Sequence, residues 1–104
     1  MSNWTDVAAV ADLFEGAGIP VTPEGRDIAL FQIGDEVFAI DNLCSHGNAK
    51  LCEGFVEGDN VECPFHQAQF SLRDGSVSCG PATAAVKSWP VKIEEGRVFL
   101  QLDT

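Results

Sequence analysis

Both histidines of the chain stand just after a cysteine, in "CSHG" (44–47) and "CPFH" (63–66), and these two segments constrain the fold more than any other feature. The pattern is C-x-H, sixteen intervening residues, then C-x-x-H. Each segment offers one soft thiolate and one imidazole. If the four side chains share a metal, the fold must bring two separate loops together on a frame stiff enough to fix their spacing. Chance placement of four ordinary loop residues is the weakest reading. Two cysteines and two histidines would also close a tetrahedral zinc site, although C-x-H is tighter than the usual knuckle of two cysteines. A third reading is a [2Fe–2S] cluster with two cysteines on one iron and two histidines on the other. It accounts for one ligand of each type in each segment, since each segment then spans the cluster.

The surrounding sequence reads as short strands separated by turns. "DIALFQI" (27–33) and "EVFAI" (36–40) flank Gly34-Asp35 as a hairpin. "GFVEGDNVEC" (54–63) turns at Gly58-Asp59, "QFSLRDGSVS" (69–78) at Asp74-Gly75, and "PVKIEEGRVFLQL" (90–102) at Glu95-Gly96. In the last of these, alternation puts Val91, Ile93, Val98, Leu100 and Leu102 on one inward face. The only helical hint is "VAAVADLFE" (7–15), stopped by Gly16. With no repeat and no linker, the expectation is one all-β domain over residues 1–104, an antiparallel β-sandwich or small barrel.

A chain of 104 residues buries a modest core and is near the small end for stability without a metal centre. Its formal net charge of −10 disfavours nucleic acid and anionic membrane surfaces as partners. Two readings of the acidity stand side by side, solubility alone and steering toward basic partners. The start, "MSNWTDVAAVADLFEG", has no basic n-region, and "VAAVA" is far shorter than the roughly 20 residues of a membrane span. The expectation is a cytoplasmic protein with no membrane segment, in which cysteines stay reduced.

"CSHG" with "CPFHQAQFSLRDG" resembles the Rieske motif. "GDEVFAIDNLCSHGNAKLCEGFVEGDNVECPFH" and "VKSWPVKIEEGRVFL" extend the likeness to the small Rieske ferredoxins of bacterial multicomponent aromatic-ring dioxygenases. The resemblance covers nearly the whole chain and is weakest over residues 1–26. It implies a Rieske-type fold whose cluster-binding subdomain, about 42–83, is built from two ligand loops. Cys44 and Cys63 would hold the buried iron, and His46 and His66 the outer one. Gly47 and neighbouring backbone would bring N–H groups toward the cluster sulfurs, and Pro81, in "SCGPAT", falls where the family has a proline-bearing loop over the cluster.

High-potential members of the family carry two further cysteines as a disulfide between the ligand loops, and a serine and a tyrosine after the second histidine. Those slots are Ala49 and Phe65, and Ala68 and Phe70, in this chain. Fewer hydrogen bonds to cluster sulfur and ligand thiolate lower the potential, so a low-potential centre is expected. Cys52 and Cys79 read as small buried or half-buried residues, in preference to a disulfide or a thiol sensor.

The implied role is one-electron transfer from a flavin-containing NAD(P)H reductase to a terminal oxygenase, by a monomeric carrier that is not itself an enzyme. The alternatives are a Rieske ferredoxin of a diiron monooxygenase or an assimilatory reductase, and a zinc-stabilised interaction module.

Overall fold

Ile28, Ala29, Leu30 and Phe31 are fully buried, and this run makes its strand the partition between two cores. The computed structural model describes residues 4–43, 49–64, 68–79 and 85–102. These contain β1 (Trp4–Ala9), β2 (Gly18–Val21), β3 (Ile28–Ile33), β4 (Glu36–Asp41), β5 (Phe55–Glu57), β6 (Asn60–Glu62), β7 (Gln69–Ser71), β8 (Val77–Cys79), β9 (Ser88–Trp89), β10 (Val91–Glu94) and β11 (Arg97–Gln101). They form three sheets, ordered β1-β11-β10, β2-β3-β4-β9 and β5-β6-β7-β8, with every strand pair antiparallel. The fold is all-β, as expected.

Successive side chains of a strand point to opposite faces of its sheet, and β3 uses both. Ile28 and Leu30 join Ala39, Val98 and Leu100 in one core, against the β1-β11-β10 sheet. Ala29 and Phe31 join Ile40, Val61 and Phe70 in the other, against the β5–β8 sheet. The β3–β4 register keeps the two sets apart, since Leu30 faces Ala39 while Ala29 faces Ile40. A short continuous apolar run is what a strand buried on both faces requires.

The chain passes between sheets at Pro90. Ser88 and Trp89 pair with Ile40 and Ala39 of β4, whereas Val91 pairs with Leu100 of β11. Proline lacks the N–H that a continuing ladder would need, which suits a strand that changes partners there.

All four hairpins form at the expected turns. Of the turn or two of helix hinted over 7–15, only the 3-10 turn Val10–Asp12 forms, and Val7–Ala9 belong to β1. So short a segment cannot offset the cost of helix nucleation, while β11 offers it a complete ladder. Ile93 is 43% exposed, contrary to the inward face proposed for it. It opposes the buried Val98, but β10 is an edge strand and Ile93 lies beside its terminal turn, where no further strand covers it.

Candidate metal centre

The residues that flank three connections lie at one end of the β5–β8 sheet. β6 ends at Glu62, which lies opposite Phe55 at the start of β5 and Gln69 at the start of β7. Gln69 in turn pairs with Cys79 at the end of β8. Residues 65–67 connect β6 to β7, 80–84 follow β8, and 44–48 lead through the 3-10 turn Leu51–Glu53 into β5. The residues that flank "CSHG", "CPFH" and "CGPAT" are therefore gathered at one edge of the sheet, as a shared centre requires.

Of the expected ligands, Cys63 is placed, and Cys44, His46 and His66 lie outside the described residues, as do Gly47 and Pro81. Among the described residues no three His, Cys, Asp or Glu side chains gather as a metal site. Cys63 is 1% exposed and unpaired, and its N–H donates to the Ala68 carbonyl at 2.7 Å, which closes the second loop at its base. Ala49, just after the first loop, and Ala68, just after the second, are buried in the same apolar cluster as Cys63. Val86, beyond the third loop, joins it and donates its N–H to Gly75 O at 2.9 Å. A thiolate in such dry surroundings is costly unless a cation takes up its charge, so the donor chemistry fits a metal centre here.

The first loop is tied at its base by Asn42 and Asp27. Leu43 and Lys50 form a β-bridge across its mouth. Leu51 N–H donates to Asn42 O at 2.6 Å, and Cys52 N–H donates to Asn42 Oδ1 at 2.8 Å. Asn42 Nδ2 donates to Asp27 Oδ1 at 2.9 Å, and Lys50 Nζ is paired with Asp27 Oδ2. Sequence reasoning missed this arrangement. Asn42 shows nothing locally that sets it apart, because its partners lie on other segments.

The hydrogen bond from Lys50, and after it that from Asn42, holds the Asp27 carboxyl below the usual carboxylate range. Its folded-state pKa lies under the unfolded value of about 3.9, so its contribution is complete above that value and is lost as the pH falls through the folded pKa. Asp27→Asn is therefore expected to lower stability at neutral pH, with the gap from wild type narrowing below about pH 4. Urea unfolding of the two proteins across that range measures it.

Cys52 is half-buried and unpaired, and burial pushes its thiol pKa up. Little of it is thiolate at neutral pH, which argues against a thiol sensor. The slots that carry hydroxyls in high-potential members are filled here by Ala68 and Phe70, both fully buried. Lys50 pairs with Asp27, Arg73 with Asp59 and Glu36, Lys92 with Glu94, and Arg97 with Asp6. With sixteen acidic residues in the chain, these pairs leave a large negative excess on the surface.

Residues 3–90 match the Rieske [2Fe-2S] domain family. The chain is 42% identical over 100 residues to the ferredoxin component of the naphthalene 1,2-dioxygenase system of Pseudomonas putida, covering 96% of each chain. Among solved structures it superposes on the Sphingomonas yanoikuyae B1 ferredoxin with a TM-score of 0.90 at 36% identity, covering 95% of this chain and 98% of the other. It also superposes on a chain from the complex of reduced oxygenase and oxidized ferredoxin in carbazole 1,9a-dioxygenase. There the TM-score is 0.88 at 32% identity, with 97% of this chain and 94% of the other covered.

Proposed function

Since the chain belongs to the Rieske [2Fe-2S] domain family, we propose that it is the ferredoxin of an aromatic-ring dioxygenase system. It takes single electrons from a flavin-containing NAD(P)H reductase and hands them to the terminal oxygenase. The observation that carries this reading is the end-to-end match to a ferredoxin component of such a system, at 42% identity over 96% of both chains. In this reading residues 1–104 form one domain with the cluster-binding part at about 42–83, and the protein is a cytoplasmic monomer.

Cys44 and Cys63 would hold one iron and His46 and His66 the other, with Gly47 and Pro81 on the loops around them. When bound, the cluster supplies a place for one electron at a time. The chain's own residues set the conditions. Ala49, Ala68 and Phe70 are buried in the same apolar cluster as Cys63, which keeps water away from it. The side chains of Ala68 and Phe70 also offer no hydroxyl to stabilise added negative charge. The midpoint potential is therefore expected near the lower end of the Rieske range of about −150 to +300 mV. A potentiometric titration with a clearly positive midpoint would contradict this.

The acidic surface supports fast, salt-sensitive encounters with basic patches on the partners. Analysis of iron and acid-labile sulfide, with electron paramagnetic resonance after reduction, tests the centre. A mixed-ligand signal with two irons and two sulfides per chain supports the reading, and a colourless zinc protein ends it. Stopped-flow reduction of a terminal oxygenase, slowing as salt rises, tests the role.

A further inference from the structure

Among the described residues Asn42 is the one buried polar side chain, 2% exposed. Every hydrogen-bonding group on it has a partner. Its backbone N–H donates to Asp27 O at 3.0 Å and its carbonyl accepts from Leu51 N–H. Its carboxamide donates to Asp27 Oδ1 and accepts from Cys52 N–H. The carboxamide thus joins the strand that leads into the first ligand loop, the 3-10 turn that leaves it, and the segment preceding β3. Resting on the cluster-binding reading above, we propose that Asn42 is a positioning residue for the cluster. Held in one orientation by Asp27, it clamps the two described ends of the segment that carries Cys44 and His46.

A buried amide with both ends satisfied is costly to disturb, because removing one partner leaves the other unpaired. Its orientation matters as much as its presence. Asp27 carries no donor, so it selects Nδ2 and turns Oδ1 toward the Cys52 N–H. Lys50 reinforces the choice, since its ammonium occupies the other oxygen of Asp27.

Asn42→Asp keeps the shape and the acceptor for Cys52 N–H, but it sets a carboxylate against Asp27. Asp27→Asn with Asn42→Asp moves the donor to position 27, rebuilds the same bond in the opposite sense and restores the net charge. Three readouts follow for wild type, the single variant and the swap: cluster loss to an iron chelator, the midpoint potential, and hydrogen exchange of a peptide spanning 43–53. Asn42→Asp should lose its cluster at least tenfold faster, exchange at least tenfold faster over 43–53 and shift its midpoint. The swap should return all three to within about twofold of wild type or to its midpoint.

Wild-type cluster retention and midpoint in Asn42→Asp would overturn the proposal, even with a lowered Tm. A swap no better than the single variant would do the same. Should Asn42→Asp fail to fold, the swap decides alone: wild-type retention supports the clamp, and fast loss refutes it. Wild-type protein without inorganic sulfide refutes the cluster-binding reading instead, and the exchange arm still reports whether Asn42 holds the loop.

Discussion

Cys63→Ala is expected to be colourless and to contain no inorganic sulfide. The thiol lies in an apolar cluster at 1% exposure, just beyond β6 and at the base of the second ligand loop. Alanine leaves three of the four proposed ligands, and the iron that Cys44 and Cys63 would share keeps one thiolate in place of two. The apolar packing changes little, so the lost metal accounts for most of the effect. Because metal binding free energy is also folding free energy, the variant should unfold well below wild type and respond little to a chelator that destabilises wild type. Cys52→Ser is the control, since that cysteine forms no disulfide and lies outside the Cys-x-x-His and Cys-x-His segments, and serine keeps the backbone N–H that donates to Asn42. It should keep its full complement of iron and sulfide. A Cys63→Ala protein that retains both would remove Cys63 from the ligand set.

Gly75→Ala is expected to cost more stability than a methyl at any other positive-φ glycine among the described residues. Gly75 has φ +77°, a conformation that costs an L-residue about 1–2 kcal/mol. A Cβ there would also lie 2.0 Å from Val86 O. The contact is with backbone, so no rotamer change relieves it. Nor can Val86 easily withdraw, because its N–H donates to Gly75 O, and Gly75 N–H donates to Ser71 O at 2.8 Å. Overpacking of this kind adds about 1–3 kcal/mol. Gly96→Ala separates the two effects. Its φ is +76°, but a Cβ there meets nothing within 4 Å, so only the conformational cost applies. Urea unfolding should place Gly75→Ala at about twice the loss of Gly96→Ala or more. Equal losses would show that the Val86 segment yields freely.

The hairpins were legible because period-two patterning and turn dipeptides agree at each of them, as at Gly58-Asp59 between β5 and β6. The proposed ligand set is read as chemistry, from the placing of both imidazoles beside thiols. What lay beyond reach depends on contacts distant in sequence. β1 reads as a weak helix because its alanines carry no strand signal, and its state is decided by β11, about ninety residues away. β9 is two residues long and exists through its pairing with β4. "IALF" reads as a plain apolar run, and only the β3–β4 register shows that alternate residues serve different cores. The role of Asn42 is hidden for the same reason, since Asp27 and Cys52 become its neighbours only once the chain has folded.

Because β3 is a wall common to both cores, the β5–β8 sheet is not a flap hinged on a base. Its floor is the reverse side of the base itself. Packing on both faces of β3 leaves that floor little room to shift, so charge added at the proposed centre would change over a floor braced from behind. Most of the adjustment then falls to solvent and to whichever partner is docked, which suits a courier that must take up and release its load without changing shape.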